Sequence, residues 1–344
     1  MRRPPTRLLL FALAGLLTAL AISAWLAWFA LHPVELATSP LDFSIRRGSG
    51  LRSATRQMIE AGIRMRDWQF NLIARLASKE TGIKAGSYQV EQGLTPWQLL
   101  NKITRGDVVL SQIVFIEGWT FRQMRAELDA HPALRHLSTE LSDPEVMRRL
   151  DADRLVPEGL FFPDTYVFGK GESDLAILAR AHRAMKKELQ SAWQQRDPEL
   201  ALAAPYEALI LASIVEKETG QPAERPLIAG VFINRLRAGM KLQADPSVIY
   251  GLGDKFDGNL RKHDLMTDAP FNTYTRAGLP PHPIAMPGRA SLLATVRPAK
   301  TGELYFVARG DGTSQFSHSL KEHNRAVDKH QKRGAESSTA APKP

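Results

Sequence analysis

Leu8 to Leu31, LLLFALAGLLTALAISAWLAWFAL, is 24 residues long and carries no charge. At a rise of about 1.5 Å per residue, a helix of that length crosses a hydrocarbon core of about 30 Å. Ala19-Leu20-Ala21 offers the small residues of a signal-peptide cleavage site. However, the apolar run continues well past the roughly 7–15 residues of a signal core, which favours a retained membrane helix over residues 8–31. Arg2, Arg3 and Arg7 precede the span, and the following HPVELATSPLD carries only acidic charge. Cations collect on the cytoplasmic side, so residues 1–7 are expected inside and the body of the chain outside, with Trp25 and Trp28 in the outer interfacial belt.

The remainder of the 344 residues has the mixed composition of two or three modest globular units. Without cysteine, neither a disulfide framework nor a thiolate metal site is available, and the nine histidines form no HExxH or comparable ligand pair. No metal or other cofactor is therefore expected. The net charge of +9 is largely terminal, drawn from Arg2, Arg3 and Arg7 and from Lys329, Lys332, Arg333 and Lys343. With no helix-turn-helix, zinc-finger or RNP-type pattern, nucleic acid is not an expected partner.

From Asp42 to about Asp107 the pattern predicts a strand (FSIRRG), a helix (GLRSATRQMIEAG), a second helix around MRDWQFNLIARLA, and a strand (AGSYQV). A faint repeat follows. EQGLTPWQLL and IEGWTFRQMR share Gly-x-Thr-x-x-Gln before an apolar residue, which predicts a turn at Gly and a Thr-capped helix start in each. Helices are expected to continue through Glu127–Leu150, with SDPE at 142–145 as a start signal, and through Asp174–Arg196. The tail from Gln331, QKRGAESSTAAPKP, is small and polar and is expected to be disordered.

LILASIVEKETG, residues 209–220, is apolar at nearly every position before Glu216, so its helix should be buried on most sides rather than striped. Residues two apart on a helix are separated by about 200°, so Glu216 and Glu218 cannot face the same place. Spacing alone leaves two readings. Both glutamates could fray into solvent with Lys217 and Arg225 as counter-ions, or one could point into a poorly hydrated cleft. In the second reading Ile214, Val215 and Leu211, together with the negative end of the helix, would raise the pKa of Glu218. A shift from about 4.3 to about 6.5 lifts the protonated fraction at neutral pH from about 0.2% to roughly a quarter. Downstream segments dense in Asn, Gln, Asp, Tyr and Pro suit the lining of a carbohydrate groove.

PEGLFFPDTYVF, ASIVEKETG, VFINRLRAGMKLQADPSVIYG, FNTYTRAGLPPHPIAMPG, LYFVA and His323-Asn324 together resemble the endolytic murein transglycosylase family, collinearly from about residue 43 to 330. The resemblance implies an α+β chain: a transmembrane helix, a small LysM-like βααβ module (41–112), a connecting region (113–200), a mixed α/β catalytic domain (201–330) and a tail (331–344). It implies cleavage of the MurNAc–GlcNAc linkage in nascent peptidoglycan strands, leaving 1,6-anhydro-MurNAc ends, with no cofactor. Peptidoglycan synthases, the penicillin-binding proteins, are candidate partners. The second glutamate of Glu-Lys-Glu, Glu218, is then the catalytic acid and base. Glu216, Asn234, Gln243, Asp245, Asn272 and Tyr274 match recurrent positions and are expected to line or support the groove. Glu158 and Asp164 fall in another recurrent motif, where fixing a loop is as natural a role as touching glycan. A non-catalytic, membrane-tethered scaffold and a hydrolase using Asp245 as second carboxylate are the rival expectations.

Overall fold

The uncharged run forms one continuous helix, α1 (Thr6–Leu31). Its stretch Leu10–Leu31 is long and apolar enough to cross a membrane. The structure, a computed structural model, describes residues 6–332. Arg2 and Arg3, and all but the first two residues of the tail, lie outside the described residues. The chain divides into two compact units, residues 1–112 with 167–172, and residues 113–166 with 173–344.

In the first unit, β1 (Glu35–Leu36) and β2 (Leu41–Ile45) precede α2 (Leu51–Glu60), β3 (Ile63–Arg64), α3 (Asp67–Leu76), β4 (Gly86–Val90) and α4 (Pro96–Arg105). β2 and β4 pair antiparallel, Leu41 opposite Val90 and Ile45 opposite Gly86, around the two intervening helices, which is the expected βααβ order. Alternation along β2 buries Leu41, Phe43 and Ile45 while Asp42 and Ser44 face water. These side chains meet Met58, Phe70, Ile73, Leu99 and Ile103 in one core, and Phe29 and Ala30 at the end of α1 pack against it. The short β1–β3 ladder is an addition that the sequence pattern did not announce.

The second unit opens at the end of β5 (Leu110–Val114) and continues through α5 (Phe121–Ala130), α6 (Asp143–Arg149), the start of β6 (Thr165–Gly169) and α7 (Asp174–Gln194). The helices expected through Glu127–Leu150 are α5 and α6, the second starting at SDPE with Ser142 as its cap, and a non-helical stretch separates them. His131 precedes Pro132 and is extended (φ −83°, ψ 109°), as the proline ring requires of its predecessor. The loop after it is clamped by the buried Asp174 carboxylate, which accepts from the Leu137 and Ser138 N–H groups and the Ser138 hydroxyl. Thr95, Thr120 and Ser142 each form a reciprocal capping box with the residue three positions on.

There follow α8 (Pro205–Glu218), α9 (Arg225–Arg237), α10 (Asp245–Leu252), α11 (Lys262–Met266), α12 (Arg289–Val296), the hairpin β7 (Tyr305–Ala308) and β8 (Ser314–Ser317), and α13 (Leu320–Val327). α8 is the central helix, with α7, α9, α10 and α12 packed around it, and every residue from Ala208 to Val215 is buried. That placement is why its apolar residues make no stripe. Leu209, Leu211 and Ile214 are each fully buried, at about 1.5–3 kcal/mol apiece. Gly230 lets α9 approach the 299–301 segment, since a Cβ there would lie 2.7 Å from the Ala299 carbonyl oxygen.

Candidate active site

Ser213, the one polar residue inside the apolar run of α8, donates to the Ile210 carbonyl (2.7 Å) and accepts the Ile284 N–H (3.0 Å). One turn later Glu216 accepts the Gly288 N–H at 2.9 Å and the Arg225 guanidinium at 3.0 Å. The side chains of this ion pair are only 11% and 5% exposed. Glu117 approaches the same guanidinium at 3.9 Å, and its pKa is raised by burial and by the neighbouring Glu216 charge. Glu216 thus holds the segment 284–288 against the end of α8, and Lys217 donates to the Gly118 carbonyl on another side.

Glu218 is the last residue of α8, and the chain turns to extended backbone at Thr219. The residue keeps some accessible surface, but protein atoms crowd its carboxyl, and this loss of hydration raises its pKa to about 8. The charge of Asp245 raises it further, Arg235 opposes, and no hydrogen bond among the described residues stabilises the anion. At neutral pH the carboxyl is a neutral acid. The shift has the direction expected from sequence and is larger.

Asp245 begins α10 and is exposed, and its Oδ1 accepts the Tyr274 hydroxyl at 2.5 Å. Burial, then this bond, raises the Tyr274 pKa, which keeps the phenol protonated. Gln243 is also exposed, with a positive φ of 52°, a conformation that costs a side-chain-bearing residue energy. Its Oε1 accepts from Arg235 at 3.2 Å, which leaves its amide NH2 as the end available to a ligand. The other two expected positions are committed to the framework. Asn234 donates to the Thr301 and Glu303 carbonyls. The buried Asn272 donates to Asp264, Leu265 and Thr267 carbonyls and accepts the Tyr274 N–H at 2.9 Å, so it shapes the turn that carries Tyr274.

Sequence reasoning missed Arg235. It is 7% exposed, donates to the Leu242 and Leu304 carbonyls, each at 2.7 Å, and lies over the Tyr305 ring at 5.1 Å. Tyr305 also stacks with His323, centroids 5.3 Å apart. Burial, then the Arg235 charge, lowers the His323 pKa. A signal was present in the sequence: Arg235 has Val231, Phe232, Ala238 and Gly239 at helical spacing and no acid among them.

A cavity of about 680 Å³ is lined by Lys217, Pro246 and Ile284, and also by Glu158, Tyr250 and His282. Lys217 and Pro246 are the chain neighbours of Glu218 and Asp245. Glu158 accepts the Phe121 N–H (3.0 Å) and the Tyr250 hydroxyl (3.2 Å), and burial still raises its pKa to about 7. Asp164 accepts the N–H of Thr165. Elsewhere, Asp129, His136 and Asp174 bring ligand-type atoms within 4.8 Å of one another. The Asp174 oxygens are already engaged by the 137–138 loop.

An apolar helix long enough to cross a membrane, a βααβ unit and a helical unit whose central helix ends in a carboxyl with a raised pKa make up a mixed α/β chain. The model of the YceG-like family matches residues 43–329, and the chain belongs to that family. A Bacillus subtilis protein named endolytic murein transglycosylase is 34% identical over 269 residues, covering 73% of this chain and 74% of its own. The protein of the same name from Streptococcus pneumoniae strain D39 is 26% identical over 321 residues, 83% of this chain and 57% of that longer one. The crystal structure of a YceG-like protein from Listeria monocytogenes superposes with a TM-score of 0.51 at 27% identity, covering 84% of this chain and 99% of that one.

Proposed function

We propose that the chain is a membrane-anchored murein transglycosylase that cleaves the MurNAc–GlcNAc linkage inside nascent glycan strands and leaves 1,6-anhydro-MurNAc ends. The observation that carries the reading is the Glu218 carboxyl, held protonated to about pH 8 by burial and by Asp245. Protonated Glu218 donates to the glycosidic oxygen as the C1–O bond breaks. The resulting carboxylate accepts the proton of the MurNAc C6 hydroxyl, whose oxygen closes on C1. Because that nucleophile belongs to the same sugar, its effective concentration is high and no second carboxylate is required to activate water. Asp245 orients the Tyr274 hydroxyl, while Gln243 and Tyr274 offer polar contacts to the N-acetyl group or to the charge developing at C1. Asn234, Asn272 and Glu216 hold the segments carrying these groups.

The arginines before α1 and the acidic stretch after it support a cytoplasmic N-terminus and a periplasmic body. In this reading the βααβ unit is a LysM-like module that helps hold glycan, and peptidoglycan synthases are partners that supply new strands. The test is Glu218→Gln assayed on uncrosslinked glycan strands. Turnover should fall about 10²–10⁴-fold, the usual value of acid–base catalysis, without unfolding. Near-normal turnover would exclude Glu218 as the acid. Products weighing one water more than anhydro ends would identify a hydrolase instead.

A further inference from the structure

The first unit carries a hollow of about 860 Å³ lined by Arg52, Arg56, Arg66 and Arg75, with Trp68, Asn71 and Leu72. All four arginines are exposed. The ion pairs Arg64–Glu35 and Lys170–Asp42 of this unit involve none of the four. Asp67, the carboxylate in the lining, accepts the Trp68 N–H at 2.6 Å. Arg52 and Arg56 are four apart on α2, a spacing at which like charges repel unless an anion lies between them.

The position of this hollow along α1 says which anion suits it. Trp68 stacks on Trp25, and Trp25 lies about 9 Å along the helix axis from Leu31, where the apolar span ends. Trp25, Trp28 and Trp68 are 39%, 57% and 50% exposed, and tryptophan at the end of a span settles at headgroup depth. Trp68 lies within about 9 Å of the end of the span, so the long arginine side chains beside it reach the phosphate layer by extending toward that end.

We propose that this hollow is a docking site for the anionic headgroups of phospholipids in the leaflet where α1 ends, each phosphodiester accepting from paired guanidinium N–H groups. The proposal rests on α1 being retained in the bilayer. The chain has no cysteine, so Leu76→Cys at the exposed end of α3 takes a single fluorophore. The labelled full-length chain is reconstituted in nanodiscs of phosphatidylcholine, with or without phosphatidylglycerol, and quenching by a headgroup spin-labelled lipid is read. Each basic side chain near an anionic leaflet favours contact by roughly fivefold. Phosphatidylglycerol should therefore raise the docked-to-free ratio at least about tenfold, and high salt should reverse the gain. Arg52→Glu with Arg56→Glu should abolish it, and the milder Arg52→Gln with Arg56→Gln should fall between.

Quenching that is equal in both lipids, or unchanged by charge reversal, overturns the docking site while leaving α1 intact. Release of the chain from native membranes by alkaline carbonate overturns the retained span, and the docking site with it.

Discussion

Replacing Asp245 by Asn removes the second-largest influence on the Glu218 pKa while leaving burial, the largest, in place. In the wild type a value of about 8 keeps roughly nine-tenths of the carboxyl protonated at pH 7, against about 0.3% at its reference value, a gain of about 300-fold in competent acid. In the proposed mechanism the acid form of Glu218 is the competent one, so kcat/KM should hold through neutrality and fall as pH rises through about 8. In Asp245→Asn the same limb should move to lower pH but stay above the unperturbed carboxyl range, since burial outweighs the opposing Arg235 charge. The loss of competent acid should therefore show at pH 7 and be almost nil at pH 5. The assay is release of anhydro-ended fragments from uncrosslinked strands between pH 5 and pH 10, with Glu218→Gln as the blank. A wild-type limb near pH 5, or a limb that Asp245→Asn leaves in place or raises, would refute the account of how Glu218 is kept neutral.

The raised pKa also predicts a stability cost. Ionising Glu218 in the folded state is unfavourable, so its contribution is intact below the unfolded value and is lost as pH rises through about 8. Glu218→Gln should therefore gain on the wild type by about 2–4 kcal/mol between pH 5 and pH 9 in urea titrations, after allowance for the solvent its side chain retains. A stability difference between Glu218→Gln and the wild type that is the same at pH 5 and pH 9 would count against a desolvated carboxyl. Arg225→Ala leaves Glu216 buried and unpaired, and should cost about 3–5 kcal/mol in the same titrations. A loss under about 1 kcal/mol would mean that Glu216 is better hydrated than its 5% side-chain exposure implies.

Much of the local structure was written in short range. Thr95 and Thr120 cap helices because each has a glutamine three positions on, and Ser142 does so with Glu145. The alternation of Leu41, Phe43 and Ile45 set the face of β2. What the sequence did not show is the non-helical stretch between α5 and α6, where a proline and the distant Asp174 carboxylate intervene. The residue types in that loop did not reveal the clamp, because its acceptor lies 36 positions away from Ser138.

For the candidate site, sequence supplied residue types and helical angles: Glu216 and Glu218 on different faces, behind an all-apolar run. It also supplied the membrane-crossing length of α1, which depends only on the count of uncharged residues. Tertiary structure decided what each face meets. It placed Arg225 and the Gly288 N–H against Glu216, and it set Asp245 and Arg235 around Glu218. It also spent the amides of Asn234 and Asn272 on backbone carbonyls while leaving one end of Gln243 open. A carboxyl's proton affinity depends on the water excluded from it and on the charges near it. Those atoms come from segments far apart in the chain, and only the packed fold brings them together.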